Sequence, residues 1–241
     1  MRLFALLLFF VAWTGHAAAG PEQPSAPREL VVITKAQVFP ATGSKPAGEH
    51  FQTSLGRALA TAMGRPVRFL ELPRNRIVAA LVAGDGDILC GYLPQWMPGA
   101  LDWSRAFIPE TDVVVSSKRV PALRAIGDLK GKRIGTVLGF RYPDLEQALA
   151  GDFVRDDGPS ESLSLKKMIA GRFDYVITTR ATVNTQTARG TLPPDAHVFV
   201  IKEFRTMCAI SRRGHATAAE LNAAIDAIEH SGELDKLLRL R

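Results

Sequence analysis

The chain has 241 residues, of which 46% are hydrophobic, so it can bury the core of one large domain or of two small lobes, which argues against global disorder. Its 30 lysines and arginines exceed its 24 aspartates and glutamates, which gives a net charge of +6. The basic residues are scattered and only 7% of the residues are aromatic, so the composition does not favour a nucleic-acid-binding surface.

The N-terminus has the pattern of a secretory signal peptide. Arg2 precedes an apolar run over residues 3–13, and alanines at 17–19 supply the small residues that a signal peptidase recognises. At about 1.5 Å per residue the run spans roughly half of a bilayer core, too little for a membrane anchor. We expect cleavage after Ala19 (signal peptide 1–19), no lipid anchor and a mature protein in the periplasm.

Strands and helices are predicted to alternate after a proline-containing extended leader over residues 20–29. A strand begins at Leu30, a helix covers 50–63 because apolar residues recur at every fourth position, and a strand covers 67–70. Pro73 begins a second helix that ends at Gly84, and a strand follows at 88–90. This alternation predicts a parallel sheet with covered faces.

Two similar phrases, LVAGDGDIL and MIAGRFDYV, suggest an internal repeat. Each ends an apolar helix near a glycine, Gly84 or Gly171, and places an aspartate three residues later, Asp87 or Asp174. Glycines that adopt left-handed backbone angles would end both helices alike, which predicts two similarly built lobes. Because glycine often ends helices, chance is the alternative.

The second part of the chain continues the pattern. A strand is expected at 134–137, Pro143 begins a helix, Thr217 and Glu220 have capping-box spacing, and Gly232 precedes a final short helix. The apolar positions expected in the core are Leu145 and Leu149, then Leu165, Met168 and Ile169, and finally Leu221, Ile225 and Ile228.

Cys90 and Cys208 are the two cysteines, and neither has a Cys or His neighbour at metal-ligand spacing. No metal or cofactor is therefore expected. Both cysteines occupy apolar segments typical of buried strands, which favours two free thiols that pack as small hydrophobic residues. A disulfide, which an oxidising compartment would permit, is the alternative.

Several phrases together carry a family resemblance over nearly the whole mature chain: LVVIT with Phe39-Pro40, LVAGDGDILCG, LDWSRAFIPETDVVV, DLKGKRIGTVLG, MIAGRFDYVITT and the Gly232 region. They resemble the family 3 extracellular solute-binding proteins, the periplasmic receptors of polar amino-acid type ABC importers. The resemblance implies a type II periplasmic-binding-protein-like α/β fold, with two doubly wound lobes joined by a two-segment hinge.

The resemblance also implies a division of the chain and a function. Residues 30–109 and 203–241 would form the first lobe and 110–202 the second. The lobes would close on a small-molecule ligand and present a changed surface to an ABC permease, without catalysis. We expect a monomer.

Candidate ligand contacts lie in loops beyond the carboxyl ends of strands. The turn of residues 139–143 joins a strand to a helix, so its amides and the Arg141 guanidinium could hold an anion; the alternative is a surface Arg141 paired with Asp144. Other candidates for ligand contact also have structural alternatives. Phe39 could cover the core, Arg76 could be solvated, and Tyr92 and Trp96 could form a pair of aromatic rings on the surface of the lobe. The ligand-binding candidates are Phe39, Arg76, Gly91, Tyr92, Trp96, Gly139, Phe140, Arg141, Tyr142 and Thr179.

Two departures from the family pattern bear on the ligand. Met97 stands where the family's amino-acid binders carry an arginine for the α-carboxylate, and Thr179 stands where they carry an aspartate for the α-amino group. The sequence thus predicts a small polar, anionic solute, either an organic acid or a modified amino acid, and poor binding of free amino acids. Arg76, Arg141 and Arg180 are possible replacement cations.

Two other classes of function stay open at this point. The first is an enzyme on the same scaffold, such as a dehydratase of cyclic acids, although no nucleophile motif, phosphate loop or histidine-centred constellation is present. The second is a periplasmic accessory or signalling protein that uses the same fold. The neighbouring genes would discriminate import from these alternatives.

Overall fold

The computed structural model describes residues 27–36 and 47–239. Helices follow strands through most of this part of the chain, as the alternating apolar patterns predict. The strands are β1 (Leu30–Lys35), β2 (Val67–Leu72), β3 (Ile88–Tyr92), β4 (Leu101–Trp103), β5 (Ile108–Ser116), β6 (Arg133–Val137), β7 (Val154–Gly158), β8 (Tyr175–Thr179) and β9 (His197–Ser211). The helices are α1 (Ala47–Ala62), α2 (Arg74–Ala83), α3 (Pro143–Leu149), α4 (Glu161–Ile169), α5 (Arg180–Ala188), α6 (Ala218–His230) and α7 (Glu233–Leu238).

The strands form one curled sheet in the order β2-β1-β3-β9-β5-β8-β6-β7, with β4 also paired to β9. The prediction of a parallel sheet is wrong for its centre. Strands β1, β2 and β3 pair in parallel, as do β6, β7 and β8, but β5 and β9 pair antiparallel with each other and with their other neighbours. The reason is that β5 and β9 run in opposite directions between the two halves of the sheet.

Each half of the sheet has hydrophobic clusters of its own, so the fold is a two-lobed α/β structure. In the first lobe, α1 and the C-terminal helices pack on one face and α2 packs on the other. In the second lobe, α4 and α5 cover one face and α3 covers the other. The predicted lobe boundaries, 109/110 and 202/203, fall within β5 and β9 and stay a prediction.

The two similar phrases fold alike. Gly84 and Gly171 follow α2 and α4 with φ angles of +90° and +79°, the left-handed conformation expected at helix ends. The buried Asp87 carboxylate accepts hydrogen bonds from the backbone amides of Val31 and His215. Asp174 accepts one from the Ser117 hydroxyl. The repeated aspartates therefore fasten equivalent loops in the two lobes.

Most predicted elements occur within a few residues of their expected bounds. The capping box of Thr217 and Glu220 at the start of α6 is confirmed, as is the short helix after Gly232. Ile169 was expected to face the core, and this is wrong: its side chain is 45% exposed at the last position of α4. Leu165 and Met168 suffice to cover the sheet there.

Cys90 and Cys208 form a disulfide bond, so the preference for two free thiols is wrong. The buried positions of both cysteines were predicted correctly, since they are 2% and 0% exposed. They pair because β3 and β9 are adjacent antiparallel strands whose register places Cys90 directly opposite Cys208. That register depends on a contact between residues 118 positions apart.

The predicted signal peptide, 1–19, and most of the leader lie outside the described residues. Within residues 27–36 and 47–239, no helix combines the length and the hydrophobicity that crossing a bilayer requires.

Candidate functional site

A cleft of about 610 Å³ lies between the lobes. It opens at the carboxyl ends of β1 and β6, the edge where open α/β sheets bind ligands. Its first-lobe wall comes from the end of β1 and the start of α2, and its second-lobe wall from the turn between β6 and α3. The lining residues are Lys35, Ala36, Pro73, Arg74, Asn75, Leu138 and Gly139.

Two cations of the first lobe, Lys35 and Arg74, face the second lobe. The Phe140 ring centroid lies 4.1 Å from Arg74 Cζ and 5.7 Å from Lys35 Nζ. Burial lowers the pKa of Lys35, and the nearby Arg74 guanidinium lowers it further. Within the described residues neither cation forms a hydrogen bond or an ion pair. Two mutually repelling charges in a partly desolvated cleft favour the binding of an anion.

An acidic side chain of the second lobe, Glu161, lies close enough to the cleft to affect the pKa of Lys35. The Glu161 carboxylate, at the first position of α4, accepts hydrogen bonds from the hydroxyls of Thr178 and Thr182, the former at 2.8 Å. Glu161 also acts across the cleft, since it raises the pKa of Lys35 against the effect of burial. The cleft therefore separates positive charge on the first lobe from negative charge on the second.

Asp112, on β5, extends this acidic region. Burial raises the pKa of its carboxyl to about 7, and nearby carboxylates add to the effect. Lys202 acts in the opposite direction. At neutral pH the carboxyl is thus close to half-protonated and would lose its proton more readily beside a cationic group. The carboxylates that raise the pKa of Asp112 are Glu110, Glu161 and Asp144.

This raised pKa makes stability depend on pH in a defined direction. In the unfolded chain Asp112 titrates near pH 4 (about 3.9), so between about pH 4 and pH 7 the folded chain binds more protons. Stability is therefore lost as the pH rises through this window. Asp112→Asn, neutral throughout, should melt at the same temperature as the wild type at pH 4 and at an increasingly higher one towards pH 7. A difference in melting temperature between the two chains that stays constant from pH 4 to pH 8 would contradict the assignment.

Two of the predicted ligand contacts, Gly139 and Phe140, lie at the cleft. Gly139 lines it with a φ angle of +77°, and the Phe140 ring reaches the first-lobe cations. Arg76, by contrast, is exposed on α2 and does not line the cleft. It follows Arg74 by two residues, about 200° around a helix, so the two side chains leave α2 on opposite sides.

The rest of the turn is occupied within the second lobe. Arg141 is 71% exposed and forms an ion pair with Glu146, with Nη2 and Oε2 2.6 Å apart. The expected alternative partner, Asp144, pairs with Lys202 instead. The Tyr142 hydroxyl accepts a hydrogen bond from the Val137 amide at 2.9 Å, and burial raises the pKa of Tyr142. The roles predicted for Arg141 and Tyr142 in ligand binding stay predictions.

Two candidates from the first lobe, Tyr92 and Trp96, belong to an aromatic cluster of that lobe. The Tyr92 and Trp96 rings lie 6.5 Å apart, and Trp96 lies 5.7 Å from Phe204 of β9. Burial raises the pKa of Tyr92, and the Arg74 guanidinium partly opposes this effect. Gly91 has a φ of +84°, and a Cβ there would meet the Gln52 amide at 2.9 Å. Phe39 lies outside the described residues.

No family model matches the chain. Two relatives match it over nearly its whole length. The chain is 26% identical to an arginine-binding extracellular protein, ArtP, of Bacillus subtilis, over 97% of this chain and 92% of the relative. It is 25% identical to a probable histidine-binding protein of Neisseria gonorrhoeae, over 97% and 90% of the two chains. An ancestral arginine-binding protein bound to arginine has a similar structure, with a TM-score of 0.66, 22% identity, and coverage of 88% of this chain and 96% of that chain.

These relatives support the resemblance to the family 3 solute-binding proteins. The structure shows what occupies the two positions that depart from that family's pattern. Met97 is 4% exposed and packs in the core of the first lobe. The Thr179 hydroxyl accepts a hydrogen bond from the Thr182 amide and so caps the N-terminus of α5. Neither residue carries a charge of its own into the cleft.

Charged side chains at other positions lie at or near the cleft. Lys35 and Arg74 supply cations to the first-lobe wall, and Glu161 lies beside the Thr179 cap through Thr178 and Thr182. None of these three residues was among the ligand contacts predicted from the sequence. Lys35 at the end of the first strand and Arg74 directly after Pro73 were visible signals, because both elements end or begin at the predicted ligand-binding edge.

Proposed function

We propose that this solute-binding protein captures a small molecule that carries both a carboxylate and a cationic nitrogen, and delivers it from the periplasm to an ABC permease. The observation that carries the proposal is the charge separation across the cleft, with Lys35 and Arg74 on the first lobe and Glu161 on the second. The carboxylate would bind the two cations and the cationic nitrogen would lie towards Glu161 and Asp112.

The physical basis is the cost of leaving these charges uncompensated. Bringing a carboxylate to Lys35 and Arg74 relieves the repulsion that contributes to the lowered pKa of Lys35. Bringing a cation to Glu161 and Asp112 stabilises the ionised carboxylates in the same way. A solute with both groups compensates the cations of the first lobe and the carboxylates of the second lobe at the same time. It can contact both sets of charges only when the lobes approach each other, which links binding to closure.

This proposal revises the anionic solute that the sequence predicted. Relatives named for the binding of arginine and histidine give no support to a purely anionic ligand. The prediction of poor amino-acid binding rested on Met97 and Thr179, and the cleft supplies charges from other positions. Amino acids are the simplest class of solute with the required pair of groups.

A thermal-shift screen tests the proposal. The panel holds the twenty amino acids beside dicarboxylates, phosphonates and sugar acids. At one hundred times its dissociation constant a ligand adds about 2.7 kcal/mol of stability, which at roughly 2 to 4 °C per kcal/mol is easily measured. We expect an amino acid, L-arginine and L-histidine first, to give the shift. A shift from dicarboxylates alone would contradict a solute with both charges, and no shift at all would contradict binding in this cleft.

Transport and the alternatives differ in their partners and products. A binding protein closes on its solute without turnover, whereas a dehydratase would accumulate product from prephenate or arogenate. Permease and ATPase genes beside this one would favour import, and a dehydrogenase or sensor kinase gene would favour an accessory or signalling role.

A further inference from the structure

Phe140 is held firmly from the second lobe. Its amide donates to the Val137 carbonyl at 3.0 Å, and its own carbonyl accepts Nη1 of Arg155 at 3.1 Å. The same guanidinium donates to the Val137 carbonyl at 3.3 Å and forms an ion pair with Asp157. The turn that carries the ring is therefore fastened at several points.

The ring itself contacts the first lobe. Its centroid lies within 6 Å of both cations of the opposite wall, the distance at which a cation and an aromatic face attract. The separation of 4.1 Å from Arg74 Cζ corresponds to a guanidinium packed on the ring. These contacts cross the cleft and connect α2 and β1 to the turn after β6.

We propose that Phe140 is a positioning residue that joins the two lobes across the cleft and presents the edge of the Arg74 guanidinium to the solute. A ring this close to Cζ would cover one face of the guanidinium, which cannot donate hydrogen bonds. The N–H edge, which has no acceptor within the described residues, stays accessible for the two parallel hydrogen bonds that a carboxylate accepts. The second part of this proposal rests on the proposed function, whereas the joining of the lobes does not.

The joining of the lobes is tested without any solute. Nitroxide labels on Ala79→Cys and Gln147→Cys, two exposed positions of α2 and α3, report the distance between the lobes. In Phe140→Leu, which keeps an apolar side chain but has no aromatic face, the ratio of closed to open molecules should fall about 2- to 30-fold, the range of one cation–π contact. Phe140→Trp should restore the wild-type distances.

A matched control uses the arginine–phenylalanine pair of the first lobe. The Arg57 Cζ lies 5.2 Å from the Phe69 ring, and both residues belong to that lobe. Phe69→Leu should leave the distance between the labels unchanged. Unchanged distances in Phe140→Leu, or an open cleft in Phe140→Trp, would overturn the proposal. Because no ligand is used, either failure is distinct from a failure of the thermal-shift screen, which tests the proposed function.

Discussion

Replacing Arg74 with alanine should weaken binding of L-arginine, or of the amino acid that stabilises the chain most in the screen, by about 1.5 to 3 kcal/mol. This is the range for a hydrogen bond to a charged group and corresponds to roughly 10- to 150-fold in Kd. Arg74 lines the cleft, and its guanidinium edge has no acceptor within the described residues. Titration calorimetry on the wild type and the variant measures the change directly.

The chain offers a matched control on the same helix. Arg76 has the same side chain and charge but is exposed on the other side of α2 and does not line the cleft. Arg76→Ala should therefore bind with the wild-type Kd, and Lys35→Ala should weaken binding as Arg74→Ala does. Equal losses in Arg74→Ala and Arg76→Ala would show a general effect of net charge and would contradict a carboxylate site at Arg74.

Removing the disulfide with the double substitution Cys90→Ala and Cys208→Ala should cost about 2 to 5 kcal/mol of folding free energy. The bond closes a chain segment of 118 residues, so it restricts the unfolded chain strongly. It also lies in the core of the first lobe, where both cysteines are almost fully buried. Urea denaturation of the two proteins measures the loss.

Reductant provides the control for this prediction. The wild type unfolded and refolded in dithiothreitol should lose stability to a similar extent, because it loses the same cross-link. The double variant should not respond to dithiothreitol, since the described residues contain no other cysteine pair. A wild-type chain whose urea midpoint is the same with and without reductant would show that the bond contributes little.

The sequence was informative where structure depends on near neighbours. Gly84 and Gly171 end helices, and Thr217 caps one, because these positions depend on local backbone angles and on side chains three residues away. Repeated phrases and apolar periodicity indicated α/β units that could form two lobes, and the family resemblance implied the two-lobed fold. The edge at which the cleft opens followed from the same alternation, which is why two of the predicted contacts, Gly139 and Phe140, lie at the cleft.

The remaining features depend on contacts between distant segments. The pairing of Cys90 with Cys208 follows from the register of β3 on β9, which no local pattern specifies. The contact of Phe140 with Arg74 depends on the approach of the two lobes. Glu161 could not be distinguished from other glutamates that begin helices. Its position is fixed by hydrogen bonds from hydroxyls on β8 and α5, and the sequence does not show these contacts.

The position of β9 has a consequence for the order in which the lobes can fold. Strands β5 to β8 lie together in the chain, so the second lobe needs mainly local contacts beyond its pairing with β9. The first lobe cannot complete its sheet and core until β9, α6 and α7 are present, and these elements lie near the C-terminal end of the chain. Until they arrive, β3 has an open edge and the apolar face of α1 is only partly covered. During synthesis from the N-terminus, the lobe that is made first is therefore completed last, and its edge needs protection from wrong partners for most of that time.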